Sequence, residues 1–98
     1  MNSSVAGGRI HIILNHLVKH GWVTLRSMSA LLGYAHPTGI YGRQRSKKPI
    51  PTVFMGSTHR VYAEDVVETL KNAPEQDQAS AGTILHIYNS LLKEHSDE

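Results

Sequence analysis

No cysteine occurs in the 98-residue sequence. Disulfides, thiolate metal sites and thiol redox chemistry are therefore excluded, and the composition fits a reducing cytoplasm. Long apolar runs are missing too. Nothing approaches the roughly 20 residues that a membrane-spanning helix needs, and residues 1–8, MNSSVAGG, lack the basic start and apolar centre of a secretory signal. The expectation is one small domain, soluble and cytoplasmic.

The most informative absence is of negative charge. Residues 1–63 contain no Asp or Glu, yet hold Arg9, Lys19, Arg26, Arg43, Arg45, Lys47, Lys48 and Arg60. All the acids (Glu64, Asp65, Glu68, Glu75, Asp77, Glu94, Asp97 and Glu98) fall in residues 64–98, beside only Lys71 and Lys93. The net charge of +2 conceals this division. A stretch of that length without a carboxylate marks a surface that meets polyanions, the competing reading being a solvated basic face. It also lacks the acids that catalysis would draw on. No Gly-rich phosphate loop, Ser-His-Asp arrangement or HExxH occurs, so no enzyme and no cofactor is expected. His16 and His20 are four apart with His11 about a turn below, but zinc sites need three or four ligands, usually including cysteine or carboxylate. No metal site is expected.

What is present is organised around residues 24–65. Thr24 can cap a helix with its hydroxyl, and Leu25, Met28 and Leu32 follow at helical spacing. Gly33 suits the left-handed turn at a helix end, and Pro37 suits the first position of a second helix. Two short helices joined by about four residues containing glycine describe a helix-turn-helix. Pro49 and Pro51 then force the chain extended. Residues 52–62 read as a hairpin, Thr52 to Met55 and Arg60 to Tyr62 around a turn at Gly56-Ser57-Thr58-His59. Glu64 and Asp65 open a further helix, favoured at its positive end, with Val66, Val67 and Leu70 facing inward. The fold class predicted is mainly α with a small β-hairpin wing: a winged helix-turn-helix with extra amphipathic helices at both ends.

The run LLGYAHPTGIYGRQRSKKPIPTVFMGSTHRVYAEDV resembles the winged helix-turn-helix domains of the excisionase/AlpA-like group, related to MerR-type regulators. The features that carry the resemblance are the Ile40-Tyr41 pair, the basic stretch Arg43 to Lys48 with Pro49 or Pro51, the glycine tip Gly56, and Arg60 running into Glu64-Asp65-Val66. The likeness covers about forty residues and lies in their order. The chain departs from the pattern in holding Gly39 and Gly42 inside the second helix and His59 at the wing tip. The resemblance implies sequence-specific binding of double-stranded DNA, as a small transcription regulator or as a factor that bends DNA for site-specific recombination on phages and other mobile elements.

The flanks complete the domain plan. Residues 1–8 are expected to be disordered and residues 9–72 to form the DNA-binding domain. Residues 9–20 are read as a helix with Ile10, Ile13, Leu14, Leu17 and Val18 on one face, ended by Gly21. Residues 73–82, rich in polar residues with Pro74 and Gly82, read as a linker. Residues 83–98 read as a last amphipathic helix with Ile84, Ile87, Tyr88 and Leu91 in register. A helix of this length must pack on something. It either closes its own protomer's core or pairs two copies, and the homodimer is expected because paired half-sites multiply modest affinities.

In a helix-turn-helix the second helix, here residues 37–46, enters the major groove. His36, Thr38, Gly39, Gly42, Arg43, Gln44 and Arg45 are the candidates there, arginine matching guanine and glutamine adenine. The two glycines each cost about 1 kcal/mol of helix propensity relative to alanine, which suggests close approach of backbone to a partner. Ile40 and Tyr41 are assigned to the core, with a Tyr41 contact to phosphate left open. Lys47, Lys48 and Arg26 are phosphate candidates. Ser57, Thr58, His59 and Arg60 of the wing would lie on the backbone or in a minor groove, unless Arg60 pairs with Glu64 or Asp65. A second class of function stays open: a protein-interaction adaptor that uses the fold without DNA.

Overall fold

A computed structural model of the chain describes residues 2–36, 38–72 and 78–96, with only the backbone described for residues 2–7, 78, 79 and 96. It is mainly helical, with a small three-stranded antiparallel sheet. The elements are α1 (Asn2–His20), β1 (Trp22–Thr24), α2 (Leu25–Leu31), α3 (Gly39–Gln44), β2 (Val53–Met55), β3 (Thr58–Tyr62), α4 (Ala63–Lys71) and α5 (Gln78–Ser96).

Local chemistry accounts for most of the boundaries. Gly21 adopts φ 83° and its N–H caps α1 through the Leu17 carbonyl. Thr24, in extended backbone, accepts the Ser27 N–H through its hydroxyl and so starts α2. At the other end Tyr34 N–H donates to the Ser29 carbonyl and Gly33 N–H to the Ala30 carbonyl, with Gly33 at φ 82°. That pair of bonds is the Schellman closure, which needs a residue in the left-handed region. The acids Glu64 and Asp65 sit in the first turn of α4.

The sheet order is β1-β3-β2. Trp22, Val23 and Thr24 pair with Tyr62, Val61 and Arg60, while Val53, Phe54 and Met55 pair with Arg60, His59 and Thr58. Trp22 and Val23 stand just before a helix and carry no strand signal of their own. They form instead a third strand against β3, and the Ala63 N–H bonded to the Gly21 carbonyl closes it. A three-residue strand carries no periodicity of its own, so only its partner reveals it. The β2–β3 turn is Gly56-Ser57, with φ 63° at Gly56 and no positive φ at any described non-glycine residue. Positive φ at the first of two central residues is the II′ turn, whose twist suits a tight hairpin.

One core serves every element except β2, whose side chains are exposed. Leu14, Leu17, Val23, Met28, Leu31, Leu32, Ile40, Ile50, Val61, Val66 and Leu70 are essentially fully buried in it. Three expectations are corrected, two of them boundaries. Residues 2–8 belong to the backbone of α1, because a nucleated helix gains a hydrogen bond with each residue added. The last helix starts at Gln78, so residues 78–82 are helix and not linker; Ala81 is buried, its small side chain letting the helices approach. Residues 73–77 of the expected linker, and Pro37 at the expected start of the second helix, lie outside the described residues.

The third correction concerns the face assigned to dimerisation. Ile84 (4% exposed) and Tyr88 (7%) join the protomer's own core, with Ile87 and Leu91 half-buried against it. α5 packs on α1 and α4 of the same chain. The apolar stripe is satisfied intramolecularly because α1 and α4 together offer an unfilled apolar edge of matching length. Burial also pushes the Tyr88 phenol above its ordinary pKa of 10.0. Ile84→Ala should accordingly lower the protomer's stability by about 2–5 kcal/mol in urea unfolding, the range for a fully buried isoleucine. A loss under 1 kcal/mol would return this face to intermolecular use.

Candidate nucleic-acid interface

α2, α3 with the irregular segment after it, and the β2–β3 hairpin lie side by side, the first two carrying Arg26, Arg43, Arg45, Lys47 and Lys48. The segment from Arg45 to Pro51 has no regular structure, yet Ile50 within it is buried. Its backbone needs partners, and Gln44 supplies both. The Gln44 Nε2 donates to the Ile50 carbonyl at 2.9 Å, and the Ile50 N–H donates to the Gln44 Oε1 at 2.7 Å. Arg43 Nε donates to the Lys48 carbonyl at 3.1 Å, the Ser46 hydroxyl to the Arg43 carbonyl at 2.6 Å, and the Lys48 N–H to the Ser46 hydroxyl at 3.2 Å. Lys47 and Lys48 are thereby held on an exposed loop by bonds that leave their ammonium groups outside.

This geometry redistributes the candidate residues. Gln44, expected at a base edge, has its amide taken up by Ile50, because a buried backbone group without a partner is worse than an amide withdrawn from solvent. Arg43 is half-buried and turned partly onto Lys48. Gly39 is explained from within: a Cβ there would lie 2.7 Å from Tyr34 Cδ1, so the glycine makes room for that ring and not for an outside partner. Gly42 is different. A Cβ there would meet nothing within 4 Å, and no internal contact accounts for the glycine. His36, Thr38, Arg45, Lys47 and Lys48 are exposed as expected.

Ile40 is in the core, but Tyr41, assigned there as well, is 54% exposed. Neighbouring helical positions point about 100° apart, and Ile40 takes the inward one. Tyr41 lines a groove of about 420 Å³ between the helices and the hairpin, together with Thr24, Leu25, Arg26, Ser57, Thr58 and His59. The groove thus unites Arg26 of α2 with the expected hairpin residues Ser57, Thr58 and His59. Its lining has one permanent cation, several hydroxyls and no carboxylate. Thr24 and Leu25 were missed as lining residues, and Tyr41, assigned to the core with a phosphate contact left open, is the exposed neighbour of a buried α3 residue.

Arg60 does not join this group. Its guanidinium carbon lies 3.9 Å from the Trp22 ring centroid, a cation–π contact on the other side of the sheet from Val61. Its Nε is buried without a hydrogen-bond partner among the described residues. Neither the groove nor an ion pair with Glu64 or Asp65 accounts for it. The Trp22 ring is also met edge-on by His16 at 4.7 Å, and His16 stands 4.5 Å from His20. His16 Nδ1 lies 2.9 Å from the Trp22 carbonyl, which only accepts, so that nitrogen carries the proton. Among the described residues no cluster of three potential metal ligands forms, and no helix is long and apolar enough to cross a membrane.

No protein-family model, curated protein or solved structure matches the chain. The arrangement of charge, groove and clamp therefore stands on its own chemistry.

The Gln44 clamp can be tested directly. Gln44→Ala should cost about 1–3 kcal/mol, the penalty for leaving buried backbone groups unmade, and should be seen as a lowered urea midpoint. An unchanged midpoint would return Gln44 to the list of side chains available to a partner.

Proposed function

We propose that the chain is a winged helix-turn-helix protein that binds double-stranded DNA, with α2 and α3 as the helix-turn-helix and β2–β3 as the wing. The observation that carries this reading is the complete lack of carboxylates over residues 1–63, joined to an acid-free groove between helices and hairpin. An adaptor that bound only protein has no reason to exclude acids from so long a stretch. In this reading Arg26, Lys47 and Lys48 meet phosphates, which set affinity and register. The exposed side chains of His36, Thr38 and Arg45 face base edges of the major groove, with Arg43 beside them. The Ser57 and Thr58 hydroxyls and His59 approach the backbone from the wing. Such binding would serve a transcription regulator and a recombination-directionality factor alike, since both need a protein fixed at one site. Two copies on adjacent half-sites would strengthen it, and with Ile84 and Tyr88 inside the protomer the pairing surface would be one other than the α5 face.

If five or more side chains neutralise phosphates, log affinity falls steeply with log salt, by about 0.9 per phosphate. Replacing both Lys47 and Lys48 with alanine should flatten the slope by about 0.9 for each that meets a phosphate, and leave sequence preference unchanged. Gel-shift titrations between about 50 and 200 mM salt measure this, and affinity indifferent to salt over that range would sink the DNA reading.

Gly42 offers an independent check. Gly42→Ala should stabilise the fold by roughly 0.5–1 kcal/mol through helix propensity, because the added methyl meets nothing. It should weaken DNA binding if a partner closes on that bare backbone. A variant with a higher melting temperature and undiminished affinity would remove Gly42 from the interface.

A further inference from the structure

The β2 strand carries three consecutive apolar side chains, Val53, Phe54 and Met55, and all three are exposed. Phe54 is 60% exposed. An edge strand with such a run attracts unwanted partners unless something covers it. The strand register separates the three. Phe54 lies opposite His59, and these two share the sheet face on which Val61 and Val23 enter the core; Val53 and Met55 point to the other face with Arg60. The Phe54 and His59 rings are in contact, with centroids 4.6 Å apart and planes tilted by 53°. His59 lines the groove with Arg26 and Tyr41, so Phe54 stands at the rim of that groove, backed by His59. The hairpin turn beyond is only two residues, Gly56 and Ser57, too short to fold over the ring.

We propose that Phe54 is an apolar wedge that enters between stacked bases of the bound DNA. The inference rests on the DNA-binding reading. Arg26, in the groove that His59 lines, is the permanent cation beside the ring, and no residue up to 63 is acidic, so the partner that covers Phe54 is an anion at its surface. Phosphates and sugars give a phenyl ring little to pack on. Base faces do, and a duplex offers them only at a step that has been opened; apolar side chains such as phenylalanine occupy opened steps in this way from the minor groove. Base faces stack on aromatic rings with little regard to sequence. The groove beside the hairpin supplies the cation, Arg26, and the ring supplies the surface that the opened step needs.

The test compares a fully paired duplex with the same duplex carrying one mismatched pair, where opening a step is easiest. With the full-length chain, the mismatched duplex should bind about tenfold more tightly, the equivalent of about 1.4 kcal/mol of opening energy avoided. A 2-aminopurine placed beside the mismatch should brighten on binding as it unstacks. Phe54→Ser should bring the two affinities together and abolish the fluorescence rise while keeping the salt slope, and Phe54→Trp should keep the preference. Equal affinities for the two duplexes with the unaltered chain, or a preference that survives Phe54→Ser, would overturn the wedge and leave DNA binding intact. Failure to bind either duplex would overturn both readings. A shift from oligomer to monomer on Phe54→Ser, seen by sedimentation, would assign the ring to a second copy of the chain and overturn the wedge.

Discussion

A buried residue in an irregular segment has two backbone groups to satisfy and no neighbouring strand or helix to do it. Ile50 is that residue, and the two hydrogen bonds from the Gln44 amide solve the problem. The amide does the work of a strand partner for one residue. Because Ile50 is anchored, the chain between α3 and the hairpin follows one course, and β2 emerges at one place along β3. The position of the hairpin relative to the helices follows, and with it the groove between them. Two prolines on either side of Ile50 remove competing donors and restrict the backbone further. A side chain that looks like a reader of bases is, in this fold, the frame on which the groove is hung.

The second constraint is electrostatic. With no carboxylate before residue 64, the cations of the first two thirds have no acid in their own region to neutralise them. Arg60 illustrates the alternatives a protein then uses: its charge rests on the Trp22 ring, not on an acid. Lys47, Lys48, Arg26 and Arg45 remain at the surface. Mutual repulsion is tolerated because the acids are collected on α4, α5 and the segments around them, where Glu64 and Asp65 also favour the start of α4. The sequence is therefore strongly divided in charge, although α1 and α5, from its two halves, pack together.

Features governed by a few adjacent residues could be read from the sequence. The Thr24 cap, the left-handed glycines at 21 and 33, the tight turn at Gly56 and the acidic start of α4 all depend on local backbone chemistry, and all occur. What could not be read depends on contacts between distant residues. Strand β1 exists through β3, nearly forty residues later. Gly39 is dictated by the ring of Tyr34 across a turn, not by an outside ligand. Gln44 looks free until Ile50 is seen to be buried, and the apolar stripe of α5 reads the same whether its partner lies in its own protomer or in another. At the candidate site, the types of residue were legible from composition. Their grouping was not: Arg26 and His59 come to one groove, Arg60 goes to the opposite face of the sheet, and Tyr41 turns outward because Ile40 has taken the inward direction.

The packing of α1 against α5 joins the earliest described segment to the latest. During synthesis α1 leaves the ribosome with Leu14 and Leu17 uncovered, and their partners Ile84 and Tyr88 arrive some seventy residues later. Loop closure over that distance costs chain entropy that short-range contacts do not, and contacts of such high sequence separation slow folding. The segment between, with its hairpin and its two short helices, can gather around Val61 and Met28 first, but the fold is sealed only when the last helix docks. Commitment to the native state is thus a late event in the life of each chain, and until then its apolar first helix is a surface for chaperones to recognise.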